Sequence, residues 1–202
     1  MKKDKYSISI LIILNISLIS ALVYFRLNAA ATDNSYAKMH EANMNQLKYQ
    51  KNIMNFQLFS EGTRLNPFLY LKTEKSDSLL INTIMERPKL VLRYSELNCQ
   101  SCVDAMLAQL QNCNSFGKEN TLLLAYYKNP AYLYQFKRMN RLLLPVYSIK
   151  NTGLPPDTLN IPYFYILGKD LDVSNFFIPE EGDTASVATY LRFASKRLQS
   201  NM

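Results

Sequence analysis

The sequence predicts an α/β sandwich of three layers, a central mixed sheet flanked by helices, preceded by an N-terminal transmembrane helix and a helical stalk. Three observations lead there. From Lys89 onward, apolar runs of strand length alternate with amphipathic stretches of helical period, the pattern of parallel strands joined by crossover helices. The last two apolar runs lie close together across "GKDLD", which predicts an antiparallel hairpin. Near the N-terminus, twenty residues (6–25) carry no charge and follow a basic flank.

That first segment, "YSISILIILNISLISALVYF", comes after Lys2, Lys3 and Lys5. At about 1.5 Å per residue, a helix of this length spans roughly 30 Å, the thickness of a bilayer core. The basic flank is expected to stay in the cytoplasm and the rest of the chain to face outward. The expected location is therefore the bacterial inner membrane, single-pass, with the C-terminal domain facing the periplasm. Four serines and Asn15 make the span less apolar than most. The competing reading is a cleaved signal peptide, with Ala29 and Ala31 of "NAAA" at the cleavage site. The length of the apolar run and the position of Arg26 count against it. No cysteine lies near residue 20 to accept a lipid.

Residues 1–31 thus read as the anchor, 32–61 as the stalk and 62–202 as the folded domain. In the stalk, Tyr36, Met39, Asn43, Leu47, Met54 and Leu58 recur at steps that suit a helix. His40, the only histidine, is expected to be a solvated residue of that helix. "GTRLNP" breaks it. "FLYLKT" reads as a short strand and "SDSLLINTIME" as one or two helical turns closed by Pro88. "KLVLRYS" is a strand. "CVDAMLAQLQNC" is a helix with Val103, Met106, Leu107, Leu110 and Cys113 on one stripe, ended by Asn114 and Gly117. "TLLLAYY" (121–127) is a buried strand, and 130–143 a helix opened by Pro130. "PVYSI" is a short strand, "KNTGLPPDTLN" a loop, "YFYILG" and "VSNFFIP" are strands, and 183–198 is a closing helix.

Composition narrows the functions. Hydrophobic residues make up 48% and charged residues 19%, which suits a packed core rather than disorder. The net charge is +7, of which residues 1–26 hold +3. The remaining basic residues are scattered, with no aromatic-interleaved stripe, so nucleic acid is not an expected partner.

The chemistry lies in "LVLRYSELNCQSCVDAMLAQLQNC", which holds all three cysteines: Cys99, Cys102 and Cys113. Cys99 and Cys102 form a C-x-x-C where a strand meets a helix. Unpaired N–H groups at a helix N-terminus stabilise a thiolate and lower its pKa. Two intervening residues let the second sulfur reach the first and resolve a mixed disulfide. A structural bridge in an exported protein is the alternative. In that reading the domain is a non-catalytic binding module that holds a partner by its groove around Pro162 and its stalk. A zinc site needs four ligands, and only Cys113 and His40 remain, at poor spacing, so no metal is expected. Cys113 reads as a buried free thiol. Glu96 is a candidate for proton transfer, with a solvated or capping role as the plainer reading. Pro162 opens a strand without an N–H to give, which leaves the Ile161 backbone free to pair with a bound peptide.

From about Phe68 to Leu198 the chain resembles a thioredoxin-fold protein. It is most similar to the membrane-anchored, extracytoplasmic thiol–disulfide oxidoreductases of the TlpA/ResA type. "LVLRYSELNCQSC", "TLLLAYY", "IPYFYILGKDLDV" and the helices between and after them carry the resemblance. It implies Cys99 as nucleophile, Cys102 as resolving cysteine and Pro162 as a cis-proline facing the pair. It also implies a disulfide reductase with no cofactor beyond the cysteines, a protein thiol or disulfide as substrate, and a membrane reductase for recycling. The sequence departs from the family at three points. Asn98 stands where a Trp usually precedes the first cysteine, and Arg93 where many members bury an acid. The usual proline in or beside the C-x-x-C is missing. A peroxidase of the same fold needs Thr or Ser three residues before its reactive cysteine, where this chain has Glu96.

Overall fold

The computed structural model describes residues 2–75 and 77–200, and the side chains of those except 2–12 and 29–34. Helix α1 runs Lys2–Ser60. The chain divides into two units, one up to Asn52 and one from Ile53 onward. In the first unit the described side chains are exposed, including Ile13, Leu14, Ile16, Leu18, Ile19, Leu22 and Val23. Ser17 and Ser20 donate their hydroxyls back to the Leu14 and Ile16 carbonyls at 2.8 and 2.9 Å. Among the described residues no helix is long and apolar enough to cross a membrane. The side chains at positions 6–12 of the expected span lie outside the described residues.

In the second unit, seven strands form one sheet in the order β2-β1-β5-β4-β3-β6-β7. They are β1 (Tyr70–Lys72), β2 (Ser78–Leu80), β3 (Lys89–Ser95), β4 (Thr121–Tyr126), β5 (Val146–Ser148), β6 (Tyr163–Leu167) and β7 (Val173–Phe177). β3, β4 and β5 are parallel, as the helical crossovers between them require. β6 runs antiparallel to β3, with Arg93 opposite Tyr163. β7 closes the expected hairpin, with a bulge between Phe164 and Ile166.

Alternation along the strands builds two cores. Leu90, Leu92 and Tyr94 of β3 point to one face. Helices α2 (Gln100–Asn112), α3 (Pro130–Met139) and α4 (Thr184–Ser200) cover it through Leu107, Leu110, Leu133, Leu191 and Ala194. Val91, Leu122, Leu124 and Tyr165 point to the other face. The last turns of α1, through Ile53 and Phe56, cover it together with Ile81, Met85 and Leu154. The sheet is therefore flanked on both faces, in keeping with the expected sandwich. Full burial of a leucine such as Leu110 contributes about 1.5–3 kcal/mol.

Two expected elements differ. "SDSLLINTIME" forms β2 and a 3-10 turn, Ile81–Ile84, not an α-helix. Pairing Tyr70 with Leu80 and Lys72 with Ser78 satisfies the backbone that a helix would have satisfied internally. The helix expected over 130–143 stops at Met139, because Arg141 takes φ 50. That turn brings Leu142 and Leu144 into the core.

Candidate active site

The site grows from the C-terminal end of β3, where parallel strands leave a crevice. The turn that leaves β3 is tied internally. Asn98 is buried, and its side-chain oxygen accepts the Ser95 N–H at 2.5 Å while its own N–H reaches the Ser95 carbonyl at 3.1 Å. At the position where the resemblance expected a Trp, Asn98 shapes the backbone that presents Cys99.

Cys99 is the N-cap of α2 and is exposed; Cys102 is one turn in and half-buried. Both are free thiols. Their sulfurs and a carboxylate oxygen of Glu181 all lie within 4.8 Å of one another. The Cys99 sulfur also meets the Ser101 hydroxyl at 3.1 Å. The environment drives the two thiols apart. A hydrogen bond from the Cys102 thiol, then those from the Ser101 hydroxyl and the Cys102 backbone N–H, lower the Cys99 pKa. The Cys102 pKa is pushed up to about 11, first by that same hydrogen bond, then by desolvation and by the charges of Cys99 and Glu181. The Gly182 N–H opposes this rise. Gly182 takes φ 78, a left-handed conformation that a residue without Cβ adopts freely.

A groove of about 280 Å³ opens beside Cys102, between α2 and the β7–α4 loop. Ala105, Met106 and Val187 give it an apolar floor, and Glu180, Glu181 and Asp183 rim it. Gln109 donates to the Thr184 carbonyl at 2.8 Å, and its buried Oε1 has no partner. Asp183 caps α4 by accepting the Ser186 N–H at 2.9 Å, and the hydrogen bonds from Ser186 lower its pKa.

The other expected site residues sit elsewhere. The Glu96 carboxylate accepts the Lys128 N–H at 3.0 Å and so ties the β3 turn to the end of β4; none of its described contacts reaches a cysteine. Pro162 is buried, and there is no cis peptide bond among the described residues, so the Ile161–Pro162 bond is trans. This corrects the cis-proline that the resemblance implied. Asn160, at φ 51, turns the chain just before it, and trans is the intrinsically favoured isomer. Ile161 lines a second cavity of about 180 Å³ with Arg93, Asn98, Asp157 and Tyr163, and Pro162 lines neither cavity. Cys113 follows the end of α2 and is half-buried against the core.

Arg93 is only 4% exposed, and its Nε donates to Asp157 Oδ1 at 3.0 Å. The Tyr94 and Lys150 carbonyls take its other N–H groups at 2.6 and 3.0 Å. Asp157 also accepts from the Tyr163 hydroxyl, the Thr152 N–H and the Thr152 hydroxyl. A satisfied ion pair therefore occupies the place where the resemblance expected a buried acid. Sequence reasoning passed over Asp157 and Glu181. "EEGD" before the closing helix is an acidic cluster, but nothing in it points to cysteines 79 positions away.

Solved structures share this architecture. The peroxidoxin BcpB from Mycobacterium tuberculosis superposes with a TM-score of 0.53 at 11% identity, over 71% of this chain and 99% of that one. A thiol:disulfide interchange protein from Bacteroides sp. gives 0.52 at 12%, over 69% and 92%. A putative electron transfer protein from Aquifex aeolicus VF5 gives 0.51 at 10%, over 67% and 94%. The fold is thioredoxin-like. At such identities the likeness is one of fold. No protein-family model matches the sequence, and no curated protein matches it as a relative.

Proposed function

We propose that the chain is a thiol–disulfide oxidoreductase, with Cys99 as nucleophile and Cys102 as resolving thiol. One observation carries the reading: two free thiols in reach of each other at a helix N-terminus, with the exposed one lowered in pKa and the half-buried one raised. This is the division of labour that exchange needs. The outer sulfur attacks as a thiolate, while the inner one stays protonated until its turn. A structural bridge gains nothing from an exposed sulfur with a lowered pKa. The thiol:disulfide interchange protein of Bacteroides sp. with this fold is in keeping with the reading.

The finer reading is a membrane-anchored, extracytoplasmic disulfide reductase of the TlpA/ResA type. It acts on a protein disulfide and is recycled by a membrane reductase. The anchor is supported by the uncharged run 6–25 and by the exposed apolar side chains of its described part. The backbone hydrogen bonds of Ser17 and Ser20 also spare those hydroxyls a cost in lipid.

The test is the reduction potential of the Cys99–Cys102 couple in the full chain, equilibrated against glutathione or dithiothreitol. A couple that equilibrates within minutes, near or above about −270 mV, supports exchange. A bridge below about −300 mV that resists reduction in the folded protein would refute it. Alkaline carbonate extraction of the cells tests the anchor: release into the supernatant would refute that part alone.

A further inference from the structure

Exchange by the reading above needs a base for Cys102, which must lose its proton before it can attack. The position that buries an acid in many thioredoxin-fold proteins holds Arg93, whose charge is already matched by Asp157. The Glu96 carboxylate is held by the Lys128 N–H. A different element supplies a carboxylate. The β7–α4 loop brings Glu181 Oε1 to 3.9 Å from the Cys102 sulfur, within reach of its proton. Glu181 is also exposed, so a proton it takes can pass on to water or to a leaving sulfur. Such contacts are often long without substrate and tighten when it binds.

We propose that Glu181 is the general base that takes the proton from Cys102 as this thiol closes on the mixed disulfide at Cys99. The inference rests on the exchange reading and gives that site its missing proton acceptor. The steps balance. The Cys99 thiolate forms a bond to one sulfur of the substrate disulfide, and the substrate's S–S bond breaks to release a thiolate. Cys102 then passes its proton to Glu181 and bonds to the Cys99 sulfur. The bond from Cys99 to the substrate breaks, and the departing thiolate takes up the proton from Glu181. The substrate disulfide has gained two electrons, and the cysteine pair has lost them.

The charges that face Cys102 make the sign of the test informative. Cys99 at the N-cap of α2 and Glu181 in the loop act on it directly, and Glu180 and Asp183 line the same groove; the groove lining has no basic side chain among the described residues. A carboxylate that acted only by its charge would hold the Cys102 proton on, so its removal would speed resolution. A carboxylate that acts as base does the opposite: its removal slows resolution.

The experiment uses the reduced full chain in a Cys113→Ala background, with the aromatic disulfide 5,5′-dithiobis(2-nitrobenzoate). Attack by Cys99 releases one coloured thiolate, and resolution by Cys102 releases a second. This leaving group needs no proton, so the second phase reads deprotonation of Cys102 directly. Glu181→Gln is expected to leave the first phase as fast or faster, because the Glu181 charge holds the Cys99 pKa up, and to slow the second at least tenfold near pH 7, a threshold set below the roughly 10²–10⁴-fold usual for general acid–base catalysis. As the pH rises to where Cys102 loses its proton unaided, the two proteins should converge. A second phase that is unchanged or faster in Glu181→Gln overturns the proposal. An absent first phase in the unsubstituted protein instead overturns the exchange reading. An unchanged urea unfolding midpoint of the reduced variant shows that its fold survives.

Discussion

The Arg93–Asp157 pair offers the sharpest test of how this site departs from its fold relatives. Its side chains are each 5% exposed, and they meet at 3.0 Å. At that distance two unit charges attract by about 5 kcal/mol at an effective dielectric of about 20. Asp157→Asn removes the charge, keeps the shape and turns an amide group toward donors that need an acceptor. Loss of one partner of a buried pair costs about 3–5 kcal/mol, because the other charge stays buried. For a domain of this size that is a large share of the total stability, which runs at about 5–15 kcal/mol. With a urea slope near 2 kcal/mol per molar, the unfolding midpoint should fall by about 2 M. The chain has no Trp and 14 Tyr, so tyrosine fluorescence of the reduced full chain follows the transition. Arg93→Met alone should also destabilise. The double variant should lose less than the sum of the two singles, since neither charge is then left unpaired. In the folded Arg93→Met protein, the reactivity of Cys99 should change by less than about twofold, a threshold far below one pKa unit. A midpoint shift under about 0.5 M in Asp157→Asn, or additive singles, would refute the stabilising role. A large change in Cys99 reactivity would show that Arg93 tunes the pair.

Three further outcomes follow from the same structure. The alkylation rate of Cys99 should rise with pH to a midpoint below that of an ordinary thiol, because its thiolate is favoured. In Cys102→Ala the midpoint should move up, since the first cause of the lowering is gone; peptide mass spectrometry against pH reads both. Leu107→Ala on the core stripe of α2 should cost about 2–5 kcal/mol in urea unfolding, since the leucine is 2% exposed and leaves a cavity. Glu61→Ala frees the Asn175 and Phe176 N–H groups that its carboxylate accepts at 2.9 Å each. Hydrogen exchange at those two amides should rise, with about 1 kcal/mol lost overall because the site is exposed.

The strand and helix order from Lys89 was legible because each element states its period locally. β3 and β4 are unbroken apolar runs, and α2 repeats its apolar residues at three- and four-residue steps. The misreadings arose where tertiary pairing overrode a local signal. "SDSLLINTIME" carries capping residues, yet its backbone is taken up by β1. The stretch after Met139 continues a helical composition, but Arg141 turns left-handed so that Leu142 and Leu144 can be buried. The covering of the second face was not legible, because Ile53 and Phe56 do not differ in composition from the exposed apolar residues of the same helix.

The cysteine pair was legible for a similar reason: four consecutive residues and one helix start contain it. Its acid–base partner was not, since Glu181 lies 79 positions after Cys102. The departure at Arg93 marks where such a partner had to be sought. A positive side chain cannot accept a proton there, and its charge is matched by Asp157. The groove that Glu180, Glu181 and Asp183 rim gives the proton that Cys102 must shed a way out on the solvent side. A buried acid needs a water path to the outside; a carboxylate at the rim is already there. Arg93 and Glu181 line different cavities, and the two-phase exchange of Glu181→Gln in an Arg93→Met background tests whether they act on each other. If Arg93 only stabilises the fold, the slowing caused by Glu181→Gln should be the same in either background.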